Sequence, residues 1–192
     1  GRPARLKRSE FMAEGPQAVR EALTLHQKRV AAGEPGVVYE VYASEACLDR
    51  HPDLETLAEG IDAYLTTDEV LAAMADTVTP QGILAVCGFL DVSLEQVLDA
   101  GPRLLAVLCQ VRDPGNAGTV LRAADAAGAD AVILTSSSVD IYNPKAVRST
   151  AASLFHFPVA LGDDIAGVAP ARRAPASRIR AAAGNRQLTR HA

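Results

Sequence analysis

Two stretches of the sequence concentrate side chains able to act on an anionic or hydroxyl-bearing ligand. In QVRDPGNAGTVLRAADAAGA, residues 110–129, Asn116 stands at the expected start of a helix and Arg122 lies six positions further on. Asparagine offers a carbonyl acceptor and amide donors, and arginine offers a planar fork suited to phosphate or carboxylate oxygens. On a helix, the Arg122 stem can run along the surface toward the N-terminal loop. In VDIYNPKAVRSTAASLFHFPV, residues 139–159, Asn143-Pro144 forms a helix entrance, and Lys145 and Arg148 at i,i+3 spacing share a basic face. Ser149 and Thr150 add hydroxyls beside that face. Taken singly, each stretch is equally well explained as a capped surface helix, with a capping Asn116 and a structural Arg122. Together they could set several polar groups at one catalytic edge.

Other chemistries find little support. The strand expected at Leu104 is followed by neither a GxGxxG fingerprint nor a GxxxxGK[ST] phosphate loop, so Gly115 and Gly118 alone establish no nucleotide site. His26, His51, His156 and His191 form no ligand grouping, and Cys47, Cys87 and Cys109 lack CxxC spacing, so no metal site is expected. The cysteines read as buried thiols in a reducing compartment. No apolar run approaches the roughly 18 residues of a membrane span, and no signal-peptide pattern opens the chain, which leads to an expectation of cytoplasmic placement without membrane association.

The elements that must position these groups fall into two α/β modules. A helix is expected from about Pro16 to Arg29, with Val19, Leu23, His26 and Val30 on one face. VVYEVYA at 37–43 and GILAVCGF at 82–89 read as strands, and Thr67 can cap a helix carrying Val70, Leu71 and Met74. The second module opens with LLAVLCQV at 104–111, a buried strand, then a helix over about 117–127 ending at Gly128, then the strand AVILTS at 131–136. Strand, helix and strand in that order imply a right-handed parallel crossover. LFHFPV resumes a strand-like pattern. The expected boundaries are 1–90, a connection at 91–102, a second domain at 103–169, and a basic irregular tail at 170–192.

Charge is strongly segregated along the chain. The net charge is −4, from 19 Lys and Arg against 23 Asp and Glu, yet residues 1–30 carry +4, residues 31–100 carry −13 and residues 101–192 carry +5. An acidic middle argues against nonspecific nucleic-acid binding by the whole surface, while the flanks could form a local cationic footprint.

The two motifs, DPGNAGTVLRAADAAGA and YNPKAVRSTAASLFHFP, in this order resemble the SpoU/TrmH family of RNA 2'-O-methyltransferases, members of the knotted SPOUT class. FMAEGPQAVREAL is similar to that family's small N-terminal RNA-substrate domain. The resemblance covers roughly residues 5–160. It implies methyl transfer from S-adenosylmethionine to a ribose 2'-hydroxyl in ribosomal or transfer RNA, with ribosomal RNA ranked first, and a homodimer. It also implies catalytic roles for Asn116 and Arg122, and RNA-binding or site-organising roles for Asn143, Lys145, Arg148, Ser149 and Thr150. Ala152 stands where the family pattern usually has Gly, and Thr150 where Ser is commoner. After Val159 nothing matches the family's third motif, of the form LVLGNEGxGL, so cofactor-binding residues stay unassigned and no complete knot is expected. The fold class expected is therefore a small N-terminal α/β substrate-binding domain followed by an incomplete SPOUT-like α/β methyltransferase domain. The rival readings are a noncatalytic RNA-binding fragment of such an enzyme and, with less support, a metabolic α/β enzyme.

Overall fold

The computed structural model describes residues 2–75, 77–163 and 178–183. The chain divides into two compact units, one of Gly1–Phe89 with Tyr142–Arg148 and the other of Leu90–Ile141 with Ser149–Ala192.

The first unit runs α1 (Arg2–Arg8), β1 (Glu10–Glu14), α2 (Pro16–Ala31), β2 (Val38–Ala43), α3 (Glu45–Arg50), α4 (Asp53–Leu57), β3 (Asp62–Leu65), α5 (Asp68–Ala75) and β4 (Ile83–Gly88). Its four-stranded sheet has the order β1-β4-β2-β3, with β4 antiparallel to both neighbours and β3 parallel to β2. Proline in the first turn starts α2, where the missing N–H costs nothing, and the helix buries Val19, Ala22 and Leu23. The apolar face expected to reach Val30 stops sooner, because Val30 is half exposed. His26 instead uses Nδ1 to accept the Val38 N–H at 3.0 Å, tying α2 to β2. Burial of its ring lowers its pKa, so the neutral acceptor form is favoured.

The second unit contains β5 (Asp91–Val92), α6 (Leu94–Asp99), β6 (Leu104–Cys109), α7 (Pro114–Ala126), β7 (Ala131–Thr135), a 3-10 turn at Ser153–Phe155, β8 (Val159–Asp163) and β9 (Arg178–Ala183). The helix α8 (Pro144–Ser149) gives its last residue to this unit and the rest to the first. All five strands are parallel, in the order β5-β8-β7-β6-β9. The expected β6-α7-β7 crossover is present, with Leu105 opposite Ala131 and Leu108 opposite Leu134. Every residue of β7 is buried, as an unbroken apolar run in a parallel sheet requires. Val97, Leu105, Val107, Ala131, Ile133 and Ala160 form one core cluster. Each large side chain among them contributes about 1.5–3 kcal/mol of burial.

Three expectations are corrected. The connection expected at 91–102 belongs to the second unit: β5 pairs with β8, and α6, held by a Ser93–Gln96 capping box, buries Val97. LFHFPV is not one strand, since the 3-10 turn occupies Ser153–Phe155 and β8 begins only at Val159. The segment expected to be an irregular tail contains β9, which pairs with β6 in register from Leu104–Arg178 to Cys109–Ala183. RIRAAA opens with two arginines in three positions, so no unbroken apolar run announces the strand. The remainder of that segment lies outside the described residues.

After β6 the chain steps outward through β7 to β8, then returns on the opposite side of β6 as β9. The sheet order thus reverses between β6 and β9, and crevices at the carboxyl ends of such strands are where open parallel sheets bind ligands. No helix among the described residues is long and apolar enough to cross a membrane.

Candidate functional site

The carboxyl end of β6 opens into the loop leading to α7. Gln110 takes a positive φ of 55°, and its N–H reaches the Thr135 hydroxyl at 3.3 Å. The Val111 carbonyl accepts the Val139 N–H at 2.7 Å, which ties the loop to the chain leaving β7. The helix cap is Asp113, not Asn116: its Oδ1 accepts the Asn116 N–H at 2.8 Å, and Pro114 occupies the first turn. Asn116 therefore sits inside the first turn, exposed, with its side-chain amide hydrogen-bonded to no described residue. Sequence reasoning could have found the cap, because Pro in the first helical position points to the residue before it.

Arg122 comes from the same helix. Its Nη1 donates to the Ser149 carbonyl at 2.9 Å and its Nη2 to the Thr119 hydroxyl at 3.3 Å. Thr119 in turn donates to the Gly115 carbonyl at 3.0 Å. The Ser149 hydroxyl donates to the Pro114 carbonyl at 2.8 Å, closing a ring of contacts between α7 and the end of α8. Gly118 makes this possible: a Cβ there would fall on the Ser149 hydroxyl and backbone. The glycine permits the close backbone approach that brings the Ser149 carbonyl within reach of the guanidinium. Two of the guanidinium's five N–H donors are thereby engaged on a part of the surface that remains exposed, and the others remain for a ligand.

The chain then turns sharply. Ala151 and Ala152 both take positive φ, 46° and 74°, and Ala152 precedes the 3-10 turn in left-handed conformation. Thr150 is fully buried, and its carbonyl accepts the Ser153 N–H at 3.0 Å. Asp125, on the last turn of α7, holds the far side: its Oδ2 accepts the Ser153 hydroxyl at 2.8 Å and bonds His156 Nδ1 at 2.7 Å. No motif singles out Thr119, Asp125 or Ser153, and His156 enters the sequence reading only as a histidine outside any ligand grouping. Asp125 and His156 are separated by 31 positions and match no spacing rule, whereas Gly118 within a helical pattern was a visible signal of close packing.

The remaining predicted residues lie in the first unit. Asn143 does form the entrance of α8, with Oδ1 accepting the Lys145 N–H at 2.9 Å and its carbonyl accepting the Val147 N–H. Lys145 is exposed, and Arg148 pairs at 3.4 Å with Glu14, whose side chain is only 8% exposed. Tyr142 anchors the segment, stacking on Phe89 with centroids 4.0 Å apart and lying 4.9 Å from Phe11. The structure thus groups Asn116, Arg122, Ser149 and Thr150 in one unit, and Asn143, Lys145 and Arg148 in the other.

Chemically, the second unit presents an exposed cation held in place by a backbone carbonyl and a hydroxyl. No group of metal-binding side chains occurs among the described residues. Burial raises the pKa of Cys109 at the end of β6, so its thiol is a poor nucleophile.

Known proteins decide the family. Residues 103–189 match the model of the SpoU rRNA Methylase family, and residues 1–85 match that of the MRM3-like substrate binding domain. The chain belongs to the SpoU/TrmH family of the SPOUT class. Within this SpoU chain the match runs past Val159 and across β9 to residue 189, so most of the basic C-terminal stretch falls inside it. The chain is 39% identical over 156 residues to the 23S rRNA (guanosine(2553)-2'-O)-methyltransferase of Bacillus subtilis (strain 168), covering 81% of this chain and 55% of that protein. It is 30% identical over 165 residues to the mitochondrial rRNA methyltransferase 3 of Homo sapiens, covering 82% and 36%. The AdoMet-bound rRNA methyltransferase of Sinorhizobium meliloti superposes with a TM-score of 0.71 at 26% identity, covering 90% of this chain and 62% of that one. A chain described as an RNA 2'-O ribose methyltransferase shares the fold, at a TM-score of 0.70 and 23% identity over 99% of this chain and 77% of that one. This SpoU chain spans between about a third and just over half of the full length of those two sequence relatives.

Proposed function

We propose that this chain is the substrate-binding and methyl-transfer part of an RNA 2'-O-methyltransferase, with S-adenosylmethionine as methyl donor and ribosomal RNA as substrate. The observation that carries the proposal is the Arg122 guanidinium, pinned by the Ser149 carbonyl over the Gly118 approach and still holding unused donors. A ribose hydroxyl that gives up its proton during transfer acquires negative charge. A prepositioned guanidinium stabilises that charge and orients the oxygen, without needing to act as a base. Asn116, exposed at the N-terminal turn of α7, supplies a neutral donor and acceptor to the same ligand. The relatives' names, rRNA methyltransferases in each case, support the substrate assignment.

The cofactor is assigned to the crevice at the carboxyl ends of β6 and β9, where the order of the sheet reverses. Gln110 and the loop to Asp113 follow the carboxyl end of β6 and would line that site. Bound there, adenosylmethionine supplies an electrophilic methyl on a sulfonium. A cytoplasmic homodimer completes the proposal and is tested by sedimentation across protein concentration.

The test is calorimetric titration of the chain with adenosylmethionine, alone and with ribosomal RNA, followed by assay of methyl incorporation into RNA. Wild type is expected to bind cofactor and transfer the methyl. Arg122→Ala is expected to lose transfer at saturating RNA and cofactor while keeping its fold and most of its RNA affinity. Cofactor binding in neither condition would reject the enzyme and leave a noncatalytic RNA-binding fragment.

A further inference from the structure

Strand β3 lies at the edge of the first sheet, and all four of its residues, Asp62, Ala63, Tyr64 and Leu65, are exposed. A sheet edge is normally covered or charged on its apolar face, because its free N–H and C=O groups template further pairing. Here Leu65 is 70% exposed and Tyr64 47%, with Tyr64 stacked on Tyr42 of the neighbouring strand at 5.1 Å. The pairing pattern identifies the open groups. Thr66 donates its N–H to the Ala43 carbonyl of β2. In a parallel ladder the N–H and C=O of alternate residues point to the same side. Tyr64 and Asp62 therefore face β2 with Thr66, and Ala63 and Leu65 present their backbone groups outward.

The chain on either side of β3 is acidic. Glu59, Asp62, Asp68 and Glu69 are exposed, and no Lys or Arg occurs between Arg50 and Arg103. Such a field repels an RNA backbone and attracts a cationic strand. We infer that the open edge of β3 docks an extended, Lys- and Arg-rich segment of a partner protein, which adds a strand through Ala63 and Leu65 and places its cations against the flanking carboxylates. This is strand addition with charge complementarity, the main chain supplying affinity and the acidic rim selectivity. The inference rests on the edge and its charge and does not depend on methyl transfer.

The experiment titrates the full chain with a short synthetic peptide alternating Lys or Arg with Val or Thr, with its Glu-substituted counterpart, and with a ribosomal RNA fragment. The basic peptide is expected to bind and to protect the Ala63 and Leu65 amides from hydrogen exchange, whereas the acidic peptide should not bind. Ala63→Pro removes one outward N–H and leaves the β2 ladder intact, as edge proline allows. It is expected to weaken the peptide at least tenfold, with an unchanged circular dichroism spectrum. Asp62→Lys with Glu59→Lys, which touches no backbone group, should weaken it similarly and reduce its salt dependence. Failure of the basic peptide to bind, or equal binding by Ala63→Pro or by the double lysine variant, overturns the inference. So does RNA protecting the same two amides, or self-association that Ala63→Pro abolishes.

Discussion

Replacing Ala151 and Ala152 by glycine, one at a time, probes the turn behind Arg122. Both alanines sit at positive φ, a conformation that costs an L-residue about 1–2 kcal/mol. Glycine relieves that cost but loses about 0.4–1 kcal/mol through the greater entropy of its unfolded chain. At Ala151, which is exposed, nothing else changes, so Ala151→Gly is expected to stabilise by about 0.5–1 kcal/mol. At Ala152 the methyl is buried, and its loss removes about 0.8 kcal/mol more, which brings Ala152→Gly close to zero. Ala151→Val, a β-branched residue forced into the same conformation, should be clearly destabilising. Urea denaturation followed by circular dichroism measures all three, provided the transition containing the second unit is resolved. A loss of stability in Ala151→Gly, or a larger gain in Ala152→Gly than in Ala151→Gly, would show that these backbone angles are not the source of strain.

Gly118→Ala gains about 1 kcal/mol of helix propensity but forces a Cβ onto Ser149. Overpacking costs of about 1–3 kcal/mol should win, with methyl transfer falling further than stability because the Arg122 anchor moves. Stability should also decline in two acid windows. His26, whose pKa is lowered by burial, contributes fully above about pH 6.5 and loses that contribution as pH falls toward its lower folded value. His26→Ala should flatten this window and leave the Val38 N–H without its acceptor, at about 1–3 kcal/mol. Asp130, lowered by the Leu104 and Arg103 N–H groups it accepts, contributes above about pH 4 and loses that contribution below, so Asp130→Asn should remove the second window from a pH series of melts. Burial pushes the Cys87 thiol up to about 12 and also raises Cys47 and Cys109, so a thiol reagent at pH 8 should label the native protein far more slowly than the denatured one.

What could be read from the sequence was whatever pattern burial imposes. LLAVLC and AVILT are continuous apolar runs because both faces of their strands are covered, and the crossover between them follows from handedness alone. The elements that escaped lack that signature. β3 is exposed along its whole length and cannot announce itself by apolar alternation, and RIRAAA hides a strand behind its arginines. The site was legible in its residue types but not in its arrangement. Asn116 and Asp113 are equally good caps by type, and only Pro114 distinguishes them. The Ser149 carbonyl that holds Arg122 is a backbone group, present in any residue and thus invisible to motif reading.

The Tyr142 stack has a consequence for the order in which the protein can be made. Phe11 and Phe89 emerge from the ribosome long before the tyrosine that packs on them, so the N-terminal unit must wait for Tyr142–Arg148 to finish its core. By then β6 and β7 have also been synthesised, with one edge of β6 still open for the later β9. Neither unit can therefore reach its final form domain by domain as the chain lengthens. The nascent protein carries an unfilled aromatic pocket and an apolar strand edge at the same time, two features that holding chaperones recognise and that aggregation exploits. Translation rate across residues 104–183 should accordingly govern soluble yield more strongly than the stability of the finished molecule.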